Sequence, residues 1–124
     1  MAKIESLHHA AITVPTEELE TARHFYSELL GLEEAPRPAA ELGRPGIWYR
    51  VGGQELHIQA RDGYGGERGE HHPALVVDDV HGLQAQLAAS GVEIQEAQPL
   101  SDRERFFAWD PFGNRLEFLS RPRT

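Results

Sequence analysis

In "HHAAITV" (8–14), Ala10, Ile12 and Val14 alternate with His9, Ala11 and Thr13, the period of a half-buried strand. From Leu19 the apolar spacing changes to three and four, through Ala22, Phe25, Tyr26, Leu29 and Leu30, which predicts a helix. Thr16 is placed to cap its start, Glu17 and Glu18 suit its positive end, and Gly31 suits a left-handed stop. Three short strands follow, at about 33–36, 46–51 and 54–60, the last two joined by "GG" as a tight hairpin.

The second half repeats this pattern. At an offset of 63, His8, His9, Ala11 and Val14 recur as His71, His72, Ala74 and Val77. At an offset of 60, "GLE" (31–33) recurs as "GVE" (91–93), and "GQELH" (53–57) matches "GNRLE" (113–117). The offset falls by three between Val77 and Gly91, which predicts a second helix nearly one turn shorter. Asp79 caps it, and Val80, Leu83, Leu87 and Ala88 form its apolar side. Strands at about 93–97, 104–109 and 114–120 complete the half, the last two joined by "DPFG".

The expected fold is therefore α+β, a single domain of two tandem βαβββ modules, about 5–60 and 70–120, linked by residues 61–69. The modules are expected to form a cup-shaped mixed sheet with the helices on its outer face. Sixty residues with one helix bury too little surface alone, so modules pair within the chain or are exchanged across a dimer. A homodimer is expected in either arrangement, because such sheets leave an edge to cover.

Strand parity then selects candidate chemistry. With Ala10, Ile12, Val14, Leu56, Ile58, Leu75, Val77, Leu116 and Phe118 packed beneath the helices, His9, His57, His72 and Glu117 share the opposite face. They form two repeat-equivalent pairs, His9 with His72 and His57 with Glu117. A pseudo-twofold axis would bring all four together as a site for a divalent first-row metal. The small Ala11 and Ala74 leave room for a substrate. His8 and His71 take at most a supporting role. Metal ligation needs neutral imidazoles, so affinity should fall as the pH drops through about 6.

Composition narrows the surroundings. The net charge of −8 argues against nucleic acid or an anionic membrane as partner. No apolar run approaches the roughly 20 residues of a membrane span, and the N-terminus lacks the apolar core of a secretory signal. The chain has no cysteine, so thiolate chemistry is excluded and a metal must take nitrogen and oxygen donors. A cytoplasmic protein is expected.

"HHAAITV", "FYSELLGLE" and "ELHI", followed by "HHPALVVDDV" and "DPFGNRLEF", resemble the vicinal oxygen chelate superfamily across essentially the whole chain. That superfamily includes glyoxalases, fosfomycin-resistance proteins, extradiol dioxygenases and bleomycin-binding proteins. The resemblance implies metal ligands at His9, His72 and Glu117, with His57 as a fourth in the glyoxalase manner. It also implies Ni, Co, Zn, Mn or Fe as the ion. Glyoxalase I usually carries a carboxylate where this chain has His57, leaving Glu117, or Glu55 on the same face, as the base.

The implied activity is that of a glyoxalase-like lyase or isomerase on a small substrate that chelates the metal through neighbouring oxygens. An iron-dependent extradiol dioxygenase and a metal-free antibiotic- or metabolite-binding protein are the alternatives. Trp48, Arg50, Arg105 and Phe107 are the candidate substrate contacts. Arg44 and Arg103 are further cations for an anionic group.

Overall fold

The computed structural model describes residues 1–123, and the chain divides into two compact units between Gly65 and Gly66. The division falls within the glycine-rich stretch 61–69.

In the first unit β1 (His9–Pro15) is followed by a helical segment, then β2 (Glu33–Ala35), β3 (Gly46–Val51) and β4 (Gln54–Arg61). The sheet order is β1-β4-β3-β2, with β1 parallel to β4 and the remaining pairs antiparallel. A parallel pair needs a crossover, and the helix supplies it. The register sets His9 opposite Glu55 and Ala11 opposite His57.

The helical segment departs from the uniform α-helix that the spacing predicts. It opens with a 3-10 turn (Thr16–Glu18), continues as α1 (Leu19–Arg23) and ends in a π turn (His24–Leu29). Thr16 is not the cap. Pro15 holds that place with φ −63° and ψ 142°, and no side chain bonds the first turn. Proline sets the entry angle in place of a hydroxyl. In the π turn the amide of Leu30 reaches the carbonyl of Phe25 at 3.0 Å. That turn sends the adjacent Phe25 and Tyr26 both inward, their rings edge to face at 4.8 Å. It also brings Ser27 Oγ within 2.7 Å of Tyr49 Oη, which burial leaves dependent on that partner.

The second unit comprises β5 (Ala74–Val76), α2 (Val80–Ala89), β6 (Glu93–Glu96), β7 (Arg105–Trp109) and β8 (Arg115–Leu119), in sheet order β5-β8-β7-β6. Ala74 stands opposite Glu117, so the first unit's pairing of Ala11 with His57 recurs in register. Asp79 caps α2 as predicted, accepting from the Gly82 amide at 3.0 Å. α2 starts directly after Asp79, with no counterpart to the 3-10 turn Thr16–Glu18, which accounts for most of the shortened offset.

The repeat of "HHAAITV" predicts a strand from His71, and β5 begins three residues later, at Ala74. Pro73 has no N–H to give the ladder, so His71 and His72 precede the strand, while the Pro73 carbonyl still accepts from the Glu117 amide at 3.1 Å.

Parity is as expected. Ile12, Val14, Ile47, Tyr49, Leu56 and Ile58 are buried in the first unit, and Phe106, Leu116 and Phe118 in the second. Each such side chain contributes roughly 1.5–3 kcal/mol by leaving water. Among the described residues no helix is long and apolar enough to cross a membrane.

The "DPFGN" turn has a physical cause. Asp110 Oδ1 accepts from the amides of Phe112 (2.9 Å) and Asn114 (2.8 Å), and Oδ2 accepts from the Asn114 side chain at 2.8 Å. Gly113 closes it at φ 91°, with its backbone pressed on Gly66, also left-handed at φ 70°. A Cβ on Gly113 would lie 2.3 Å from the Gly66 carbonyl oxygen. Gly113→Ala is expected to cost about 2 kcal/mol or more in urea denaturation, from backbone strain and steric clash together. Gly69→Ala, with nothing within 4 Å, is the control and should change little. Equal effects of the two substitutions would contradict this account of the turn.

Candidate functional site

Each unit presents a pair of donors at repeat-equivalent positions. In the first, the His9 and His57 rings stack with centroids 4.0 Å apart and planes 16° apart. On its other face His57 meets the Trp48 indole, its register partner on β3, at 3.9 Å and 2°. This sandwich leaves His57 only 6 % exposed although it lies on the open face. Glu55 Oε1 lies 2.8 Å from His57 Nε2. A carboxylate only accepts, so that nitrogen carries the proton and a neutral His57 keeps its lone pair on Nδ1.

His9 shares a contact with His8, Nδ1 to Nδ1 at 2.9 Å. Its pKa is lowered, first by desolvation and then by the neighbouring His57 and His8, with Glu55 opposing. The neutral imidazole that a metal requires is therefore favoured. Glu55 is held below the usual carboxylate range, chiefly by its hydrogen bond from His57.

An open cleft of about 600 Å³ lies on this face, with His9, Trp48, His57 and Gln59 among its lining. Residues 37–45 form its wall. The Arg37 guanidinium pins that wall by donating to the carbonyls of Gly46 (3.1 Å), Glu41 (2.6 Å) and Arg44. Arg44 lines the cleft, while Arg50 turns to Glu33 at 3.0 Å. Sequence reasoning missed Arg37, since nothing in "APRPAA" marks a loop clamp.

In the second unit His72 Nε2 lies 2.9 Å from Glu117 Oε1, and His72 Nδ1 lies 2.7 Å from the Glu70 carbonyl oxygen. Carbonyl and carboxylate oxygens only accept, so both contacts are donations from His72. The carbonyl holds the Nδ1 proton, and Nε2 is the nitrogen whose lone pair a metal would meet beside Glu117 once its proton leaves. Arg105 Nη1 reaches the second oxygen of Glu117 at 3.4 Å. Arg103, further along, reaches the Ser120 carbonyl.

Phe107, opposite Glu117 in the ladder, lies edge to face with His72 at 5.2 Å. It is buried beneath arginines and forms a floor, and its neighbour Phe106 packs inward on Phe118. These contacts fix the alternation along β3 and β7. Trp48 and Phe107 belong to the open faces, Tyr49 and Phe106 to the cores.

Among the described residues no three histidine, aspartate or glutamate side chains gather to hold an ion. The candidate donors stand as two pairs, His9 with His57 and His72 with Glu117.

The chain matches the family model described as the glyoxalase/bleomycin resistance protein/dioxygenase superfamily over residues 6–118. A glyoxalase family protein of Bacillus anthracis is 33 % identical, with 98 % of each chain covered and a TM-score of 0.87. Two solved structures under 25 % identity share the fold. A lactoylglutathione lyase of Agrobacterium tumefaciens is 18 % identical, with 95 % of each chain covered and a TM-score of 0.72. The fosfomycin resistance protein FosX of Listeria monocytogenes, complexed with Mn(II) and sulfate, is 19 % identical, covering 95 % of this chain and 91 % of that one at a TM-score of 0.74. No curated protein matches the sequence. With nearly the full length matched and both modules formed, the chain belongs to the glyoxalase/bleomycin resistance protein/dioxygenase superfamily.

Proposed function

We propose that this protein is a divalent-metal-dependent, glyoxalase-like lyase or isomerase acting on a small substrate that offers two neighbouring oxygens. His9, His72 and Glu117 would hold the ion, with His57 as a fourth donor. The observation that carries the reading is the second-unit pair. His72 bonds a backbone carbonyl through Nδ1 and directs Nε2 at Glu117, the outer-shell arrangement usual for a metal-ligating histidine.

The donors fit such an ion. Nitrogen and carboxylate oxygen suit borderline divalent metals, and 2.9 Å is close to the separation of about 3 Å between adjacent donors on one octahedral ion. Each module offers two donors, so a full set requires a first and a second module to share them. They would come from one chain or from the two chains of a homodimer. FosX complexed with Mn(II) lends the same support from a relative.

When bound, the ion would act as a Lewis acid and stabilise negative charge on a substrate oxygen, worth several kcal/mol. The chain's own groups do the rest. Glu55, kept ionised by His57, accepts a proton on the open face, and Glu117 is the second base. Trp48 covers His57 with an apolar ring and keeps water from it. Arg105 balances the charge of Glu117. Trp48 and Arg105 stand beside the donors as substrate contacts.

Elemental analysis of protein purified without a histidine tag tests the reading. Nickel, cobalt, zinc or manganese supports it, and iron moves the reaction to an extradiol dioxygenase. A protein that takes up no metal on loading is a metal-free binding protein, and the proposal fails.

A further inference from the structure

On the open face of the second unit, Arg115 stands two residues before Glu117 on β8, so both side chains share one side of the sheet. Its guanidinium lies 3.8 Å from the centroid of Phe107 and 5.9 Å from that of Trp109. Arg105 approaches Phe107 as well, at 5.4 Å. These aromatic faces fix the plane of Arg115 without consuming its hydrogen bonds.

Arg115 differs in what it bonds from Arg105 and Arg68, the other guanidiniums that lie over Phe107 and Trp109. Arg68, Arg105 and Arg123 of the same unit pair with Glu93, Glu117 and Glu104. Among the described residues Arg115 pairs with no carboxylate. Its hydrogen bond among the described residues runs from Nη2 to Gln95 Oε1 at 3.4 Å, and among them its buried Nε has no partner. A charged donor held without an acceptor costs free energy, which an oxyanion bonded to the guanidinium would offset. Two guanidiniums flank one ring here, and Glu117 is already bonded to Arg105 and to His72. The local excess of charge is positive.

We infer that Arg115 is a pre-positioned anion contact, so the substrate carries an oxyanion, a carboxylate or a phosphoryl or phosphonyl group, which Arg115 engages beside Glu117. The inference rests on the proposed function for placing the substrate at this face. A planar fork of N–H donors held flat against an aromatic ring is suited to such a group, because two oxygens can be bonded in parallel. Arg115 thereby selects anionic over neutral substrates. Sequence reasoning named Arg50 and Arg105 as contacts and passed over Arg115. Its signal was the parity it shares with Glu117.

Inorganic phosphate and acetate serve as probes, with and without Mn2+, and isothermal titration gives the readout. Arg115→Gln should weaken the binding of at least one probe by about tenfold or more while leaving Mn2+ affinity unchanged. Arg115→Lys, which keeps the charge but not the fork, should fall between. Tight phosphate with weak acetate identifies a tetrahedral oxyanion, and the reverse a carboxylate. In the unaltered protein the Arg115 Nε–H resonance should shift on titration with the same probe, a measurement that needs no variant to fold. An unmoved Nε–H resonance, or equal probe affinity in the wild type and Arg115→Gln, overturns the inference. Loss of Mn2+ binding in the wild type with the Arg115-dependent anion effect intact would instead overturn the metal reading and leave this one standing.

Discussion

His72→Ala is expected to weaken Mn2+ binding by more than about a hundredfold, since even outer-shell partners of a metal are worth ten- to a hundredfold. Isothermal titration of the metal-stripped protein measures it. The fold should survive, because His72 precedes the β5 ladder and packs only edge-on against Phe107. The change in unfolding free energy should stay within about 1 kcal/mol. Glu117→Gln should produce a loss of the same order, since the amide keeps the shape and removes the charge. His9→Ala should do the same through the first unit. His57→Ala separates two roles. A ligand loss appears as weakened Mn2+ binding, whereas a packing loss appears as destabilisation, because the ring fills the gap between His9 and Trp48. Unchanged Mn2+ affinity in His72→Ala and Glu117→Gln together would refute the ligand assignment.

Phe118→Ala should be the most destabilising single truncation, at about 3–5 kcal/mol. The side chain is 2 % exposed, stacks on Phe106 at 5.1 Å and occupies the inward face of the central strand pair β7–β8. No neighbour can collapse into the space without breaking the ladder, so most of the cavity penalty remains. Ile58, its repeat equivalent, should cost about 2–5 kcal/mol on truncation to alanine. Against a total stability of about 5–15 kcal/mol for a typical domain, either change is large. Trp48 and Trp109 lie in different units, so fluorescence in urea, read in single-tryptophan variants, reports each unit separately. A loss below about 1 kcal/mol for Phe118→Ala would mean that the inward face has been misidentified.

The fold was largely legible because strand parity and helical spacing are local and the duplication states them twice. Val14, Leu56, Leu116 and Phe118 fell on the buried side from alternation alone. The helix ends were less legible. Asp79 acts as the cap by a rule of one residue and its near neighbours, whereas Pro15 overrides Thr16 by fixing φ, and the π turn answers to the packing of Phe25 and Tyr26. β5 shortened because one missing N–H at Pro73 outweighs a favourable alternation.

The site divided along the same line. The amino-acid order alone determined that His9, His57 and Glu117 lie on the open faces, because side-chain direction follows from residue number along a strand, and that His72 matches His9 in the repeat. Only the tertiary structure decided what each group touches. It stacked His57 between Trp48 and His9, turned His72 toward Glu117, took Arg50 to Glu33, and left Arg115 over Phe107 with no carboxylate among the described residues. Those outcomes depend on cross-strand register and on competition among several charged neighbours. Both are settled by groups distant in the chain, so local pattern cannot determine them.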